Sequence, residues 1–224
     1  MSEEKHFVFP GELLRKFSKY KVGDGVIKLG SYPVSSLFGI LTVNKKTISV
    51  IPYKEIYRPK KGDIVIGVVV GYGNSGWFID IGSYTKAFLH VSEAIKGKFD
   101  SRLNDLSDYL RIGDVVIAKV TDVSRLGYFQ VSIKGRGLGK ITDAYFIKVN
   151  PVKLRRIIGR KGSMINLIKE YIGGDIILGK NGVIAYRNGY EAYKKLRKII
   201  NIIAEKTFAS GLTSYIAEVL KGEK

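Results

Sequence analysis

The chain has 224 residues, of which 45% are hydrophobic, with a formal net charge of +18 and no cysteine. The apolar share excludes a disordered basic tail, and the length gives room for two or three small domains. Without cysteine there are no disulfides, no thiolate chemistry and no Cys-based zinc site.

The first segment, about residues 7–59, is short of helix signals and rich in β-branched and turn residues. Residues 46–52 spell a strand stopped by proline, with a turn at 43–46, so a small β-domain is expected over residues 1–60. The second segment opens on the turn Lys61-Gly62-Asp63. Strands are expected at 64–70, 77–81, 86–91, 114–123 and 128–134, with a long polar crossing at 92–113 that holds a short helical stretch. Five short antiparallel strands with that long third connection suit an OB-type barrel over residues 61–134.

A flexible basic linker is expected at 135–143, and a third domain over residues 144–224. Its elements read as a strand at 144–149, a helix at 152–158, the loop Gly159-Arg160-Lys161-Gly162 and a helix at 163–172. A hairpin around Asn181-Gly182 follows, then a long helix at 190–208 and a last turn or two at 213–220. A type I′-like turn is expected in that hairpin. The fold class is therefore multidomain, mainly β plus α+β.

Charge is uneven along the chain. Residues 1–61 carry net +7, residues 62–133 net −1 and residues 134–224 net +12. The excess suits a polyanion, and nucleic acid above all. The barrel segment cannot attract RNA by net charge and needs stacking instead. Strand alternation puts Trp77, Ile79 and Ile81 on one face and Phe78 and Asp80 on the other. Phe88 and His90 likewise oppose Ala87, Leu89 and Val91, so Phe78, Phe88 and His90 share a face that bases could stack on. Cover by another domain is the competing reading for the two phenylalanines, and a structural hydrogen bond for His90. Lys134 and Arg136 follow as candidate phosphate contacts.

The Gly159–Gly162 loop joins two helices. Glycines permit a tight turn and close approach of a phosphate backbone, Arg160 and Lys161 add charge, and Arg155 and Arg156 lie on the preceding helix. A helix cap followed by an ordinary helix start is the plainer alternative. The flanking Ile157-Ile158 and Met164-Ile165, with the strand–helix–loop–helix–hairpin–helix order, fit a KH domain, whose loop clamps single-stranded RNA.

No catalytic or metal-binding constellation is legible. His6 and His90 are too few for a His-built metal site, and Asp100, Asp105 and Asp108 read as solvated surface. A non-enzyme without metal or cofactor is expected. The N-terminus lacks a signal-peptide pattern and the apolar run at 64–70 is far too short to span a bilayer, so a cytoplasmic location away from membranes is expected.

Several blocks resemble known families. Gly76-Trp77-Phe78-Ile79-Asp80-Ile81-Gly82, Ala87-Phe88-Leu89-His90-Val91-Ser92-Glu93 and Val131-Ser132-Ile133-Lys134 resemble the ribosomal-protein-type OB-fold RNA-binding domain. Tyr128 stands where many of its members are basic. Phe9-Pro10-Gly11-Glu12, the junction from Ile48 to Gly67 and the hairpin Gly179-Lys180-Asn181-Gly182 extend the likeness. Over residues 7–210 the chain resembles the KH-containing RNA-binding cap subunit of the archaeal exosome. That resemblance implies three cap copies on a hexameric ring of RNase PH-like subunits, which trims RNA from its 3′ end with phosphate. It implies docking by the N-terminal domain around Pro10, Gly11 and Glu12, and single-stranded RNA as ligand of the other two domains. A Nus-type transcription elongation and antitermination factor, or a translation-associated RNA binder, is the alternative.

Overall fold

The computed structural model describes residues 6–95, 97, 105–206 and 211–222. By its internal contacts the chain divides into two compact units, residues 1–55 and 56–224, so the second and third sequence segments form one body.

The first unit contains β1 (Phe7–Val8), β2 (Lys21–Val22), β3 (Val26–Leu29), β4 (Tyr32–Ser35), β5 (Gly39–Asn44) and β6 (Thr47–Pro52). β5 and β6 form a hairpin whose turn places Lys45 at positive φ, and β1 and β2 flank them in the order β1-β5-β6-β2. β3 and β4 make a separate two-stranded ribbon. Alternate residues of β6, Ile48 and Val50, join Val8, Leu14 and Val26 in a small buried core. This is the β-rich unit read from the turn and β-branched signals.

The second unit begins with β7 (Ile64–Gly73), β8 (Gly76–Asp80), β9 (Ala87–His90), the short α1 (Val91–Ala94), β10 (Val115–Val123), β11 (Phe129–Ser132) and β12 (Gly139–Ile141). β7, β8, β9, β11 and β10 close into a five-stranded barrel. The expected all-antiparallel pairing needs one correction. β9 and β11 run parallel, with Phe88 opposite Gln130 and Leu89 opposite Val131. The long crossing between them makes this possible, because parallel neighbours need such a connection. Its described part holds a 3-10 turn at Leu106–Asp108, capped reciprocally by Asp105 and Asp108, so these two carboxylates are surface caps; Asp100 lies outside the described residues.

Trp77, Ile79, Ile81, Leu89, Phe129 and Val131 fill the barrel. The Trp77 indole N–H donates to the Leu110 carbonyl at 3.1 Å, which satisfies its one polar atom inside an apolar core. At Gly76 a Cβ would run into the Leu89 carbonyl, so only glycine lets β8 lie this close to β9.

The segment 135–143 differs from the flexible linker expected of it. Its three residues of β12 pair with Val115, Val116 and Ile117 on the β10 edge. Lys140 forms an ion pair with Asp114 at 2.7 Å. Glycines at 135, 137 and 139 look like flexibility in sequence, but each is used at positive φ to fold the chain back onto the barrel.

The rest comprises β13 (Tyr145–Lys148), α2 (Pro151–Ile158), α3 (Ser163–Ile172), β14 (Asp175–Leu178), β15 (Val183–Arg187), α4 (Tyr190–Glu205) and α5 (Leu212–Gly222). The sheet order is β13-β15-β14, antiparallel throughout. Leu154, Ile157, Ile165, Ile168, Leu196, Ile199, Ile200 and Ile203 share one core with Ile147, Ile176 and Ile184 of the sheet. Leu212, Ile216 and Leu220, spaced by four, dock α5 on the same core, so the tail is a full helix where a turn or two was expected.

The opposite face of this sheet is also covered. Ala185, Val183 and Ile177 pack with Ile66, Ile117 and Ile141 of the barrel side, joined by Leu138 and Ala144. The hairpin turn seals this seam. Lys180 N–H donates to the Ile64 carbonyl at 2.8 Å. Asn181, 4% exposed, accepts from Ile66 N–H at 3.3 Å and donates to the carbonyls of Ile66 at 2.7 Å and Ile81 at 3.0 Å. The loop thus takes over the edge of β7 beyond the point where β8 ends. The turn itself is not type I′. Gly182 N–H returns to the Gly179 carbonyl and only Gly182 has positive φ, because Asn181 is committed to the barrel.

Candidate nucleic-acid interface

The outer face of the barrel gathers three of the expected residues. Phe78 of β8 stands directly opposite Phe88 of β9, with ring centroids 5.4 Å apart. Phe88 in turn meets the His90 ring edge-on at 6.3 Å. Phe78 is 40% exposed, Phe88 half-buried and His90 exposed. Opposed strand positions bring rings together in this way without further packing.

Sequence reasoning missed the floor of this cluster. A Cβ on Gly73 would lie 3.1 Å from the Phe88 ring and 3.4 Å from the Phe78 ring, so both rings rest against bare β7 backbone. In the sequence alone Gly71 to Gly76 reads as a turn. The β7–β8 bulge near Val70 carries the strand through it, leaving only Asn74 and Ser75 in the turn.

His90 also makes a structural hydrogen bond. Its Nδ1 caps α1 by accepting the Ser92 N–H at 3.2 Å, and it lies 2.8 Å from the Ser92 hydroxyl. The bond fixes the ring edge-on to Phe88. Asp80 shares this outer face. The Lys86 amine at 2.6 Å, and then the Gly82 amide, hold its carboxyl below the usual carboxylate range. Lys86 thereby offsets the charge that would repel a phosphate. Lys134 and Arg136 are exposed on the irregular segment after β11, and Lys134 N–H is held by the Ser132 hydroxyl at 3.1 Å.

The second group of expected residues lies between α2 and α3. Asn150 caps α2 by accepting from Val152 N–H at 3.2 Å, and Pro151 takes the first turn, where its missing N–H costs nothing. Gly159 ends the helix at φ 76. A Cβ there would sit 2.6 Å from Met164 N, so both conformation and space demand glycine. Arg160 and Lys161 form a single 3-10 turn, and Gly162 at φ 81 leads into α3. Lys161 itself is left-handed at φ 51, a conformation that costs a residue with a Cβ about 1–2 kcal/mol. Local strain of this kind concentrates at ligand clamps. α3 has no side-chain cap, so the partial positive charge of its first turn is not met by the protein's own side chains there. Arg155, Arg160 and Lys161 are exposed and Arg156 is half-buried, so the loop presents cations beside an uncapped helix start. Together these groups have the composition of an anion site.

In the first unit Pro10, Gly11 and Glu12 form a tight turn. Glu12 N–H returns to the Phe9 carbonyl, and the Glu12 carboxylate accepts Phe9 N–H at 2.9 Å. Gly11 has φ 87, and its N–H donates to Ser35. Pro10 and Gly11 are exposed, while Glu12 is tied inward.

Among the described residues no group of three His, Asp or Glu is placed to hold a metal ion, and no helix is long and apolar enough to cross a membrane.

Comparison with known proteins gives the family. Residues 56–112 match the sequence profile described as RRP4, S1 domain. Exosome complex component Rrp4 of Methanothermobacter thermautotrophicus is 36% identical over 97% of this chain and 68% of its own length. The protein of the same description from Methanopyrus kandleri is 35% identical over 98% of this chain and 95% of its own. The chain belongs to the Rrp4 family of exosome components. Within that family the match extends to the Nitrosopumilus maritimus member, 31% identical over the whole of both chains. A crystal structure described as that of an exosome complex RNA-binding protein superposes with a TM-score of 0.71 at 32% identity, covering 75% of this chain and 97% of the other. The Rrp4 relatives therefore share both modules of the second unit and not the barrel alone.

Proposed function

We propose that this chain is a non-catalytic subunit of the exosome that captures single-stranded RNA for a phosphorolytic 3′-to-5′ exoribonuclease ring. The observation that carries this reading is the joining of the barrel and the α/β module into one body, so that a stacking face and a phosphate-type loop are held in fixed relation. The strand–helix–loop–helix–hairpin–helix order supports reading residues 144–224 as a KH domain. Phe78, Phe88 and His90 stack bases, and the Gly159–Gly162 loop with Arg155 and Arg156 binds phosphates. Lys134 and Arg136 add phosphate contacts beyond the barrel. The unit of residues 1–55 docks on a hexameric ring of RNase PH-like subunits through the turn at Pro10, Gly11 and Glu12, with three copies per ring, in the cytoplasm. Family membership over nearly the whole chain leaves the Nus-type and translation-associated alternatives without support.

The test is to incubate the purified chain with labelled oligo(A), phosphate and magnesium, alone and with the ring. Alone it binds the RNA and leaves it intact; with the ring it increases RNA capture. Shortening of RNA by the chain alone, after rigorous removal of contaminating nuclease, overturns the non-catalytic reading.

A further inference from the structure

One aromatic cluster lies outside both the barrel face and the Gly159–Gly162 loop. Tyr145 opens β13, at the opposite end of that strand from α2, and Tyr190 and Tyr193 lie in the first turn of α4. The rings of Tyr145 and Tyr193 stack at 4.8 Å and 24°. Tyr190 lies 5.7 Å from Tyr145 and 6.1 Å from Tyr193, the latter at 28°. The cluster is fixed from below. The Tyr193 hydroxyl donates to the Phe146 carbonyl at 3.3 Å, and its ring packs against the module core. Tyr145 and Tyr190 do not belong to that core and are 37% and 53% exposed. Large rings held in order yet open to solvent are not needed to fold the module.

Charge decides what suits this surface. Lys194 sits 4.6 Å from the Tyr190 centroid and bonds Glu191 at 2.9 Å, so the nearest carboxylate is already offset. Arg197 stands seven residues beyond Tyr190 and four beyond Tyr193, exposed on the same helical stripe. The rim is cationic, and residues 134–224 as a whole carry net +12, which suits a polyanion. Stacking platforms flanked by cations are the means by which single strands are held without sequence preference.

We propose that Tyr145 and Tyr190, with Lys194 and Arg197, form a second single-stranded RNA surface, on which a base stacks while the backbone follows α4. This rests on the RNA-binding reading above and adds a site to it.

The experiment is fluorescence anisotropy of the full chain with a labelled 20-nucleotide oligo(A). Wild type, Tyr190→Ala, Tyr190→Phe, Tyr145→Ala with Tyr190→Ala, and Arg160→Glu with Lys161→Glu are compared. Tyr190→Ala weakens binding by about fivefold or more, the lower end for loss of one stacked base, with an unchanged salt slope. Tyr190→Phe, which keeps the ring, stays within about twofold by the same stacking argument. Should the double alanine variant fail to fold, Tyr190→Glu at the more exposed ring replaces it and must also weaken binding. Wild-type affinity in folded Tyr190→Ala or Tyr190→Glu overturns the proposal and leaves the RNA-binding reading standing. Absence of binding by wild type removes that reading and this site with it. Tyrosine variants that keep RNA affinity but lose a co-purifying protein would assign the surface to protein, which also overturns the proposal.

Discussion

The Asn181 side chain bonds both backbone groups of Ile66, a residue 115 positions earlier in the chain, accepting its N–H at 3.3 Å and donating to its carbonyl at 2.7 Å. Where β8 leaves the β7 edge, this one amide stands in for a strand, and a third bond to Ile81 closes the corner. The seam between the modules is thus built from backbone pairing as well as from the apolar contacts of Ala185, Ile66, Ile117 and Ile141.

Asn181→Ala should therefore be costly. It leaves buried Ile66 and Ile81 groups without their partner, and unmet buried groups cost about 1–3 kcal/mol each, less where water can enter. We expect a loss of about 2–3 kcal/mol in urea unfolding. Trp77, the single tryptophan, is fully buried in the barrel and reports the transition. A loss under about 0.5 kcal/mol would show that the seam does not depend on these bonds.

Lys161→Gly should separate stability from binding. The left-handed conformation costs lysine about 1–2 kcal/mol, while glycine adds about 0.5–1 kcal/mol of chain entropy to the unfolded state. Stability should stay level or rise by up to about 1 kcal/mol. RNA affinity should fall with the lost charge. A clear drop in stability would mean that the lysine side chain supports the fold.

The loop and the ring face should differ in salt dependence. Arg160→Glu with Lys161→Glu should weaken oligo(A) binding and lower the slope of log K against log salt by about 0.7 for each lost phosphate contact. Phe88→Ala should cost about 1–3 kcal/mol of binding with little change in slope. Anisotropy titrations at several salt concentrations distinguish the two, and equal slopes for both variants would contradict the division of roles.

Removal of residues 1–55 should leave the remainder folded, since those residues form their own compact unit. The truncated chain should keep wild-type Trp77 emission and RNA affinity yet fail to co-elute with the ring. Normal co-elution would move the docking surface to the second unit.

Asp80 gives a pH signature. Its folded-state pKa is lowered by Lys86 and by the Gly82 amide. The stability it contributes is therefore present above the unfolded-state pKa of about 3.9 and is lost as pH falls through the folded value. The carboxylate side chain is 39% exposed, so solvent screening keeps the contribution below about 1 kcal/mol. The stability gap between wild type and Asp80→Asn should be present at pH 6 and should narrow as pH falls below the unfolded-state pKa of about 3.9. A gap that does not change with pH would point to a steric cause.

What the sequence made legible was local. Alternation placed Trp77, Ile79 and Ile81 inside and Phe78 outside, because a strand half-buried on one face must show period two. The turn from α2 to α3 was legible because glycines at 159 and 162 supply the positive φ that such a turn needs. Long-range pairing was not. Nothing local distinguishes a β11 that runs parallel to β9 from one that runs antiparallel, since the same faces are buried either way. Asn181-Gly182 reads as a tight turn in isolation, and its real partner is visible only once β7 is beside it. The glycines of 135–139 mark flexibility as readily as they mark the bends that seat β12.

β12 has one more consequence. It lies on the far side of the exposed Gly135–Gly137 stretch from the closed barrel, paired to β10 and pinned by Lys140 to Asp114. A single cut at Arg136 would break the covalent chain without freeing either piece, because the downstream fragment still holds a strand of the upstream sheet. The nicked protein would run as two bands under denaturing conditions and as one particle under native ones.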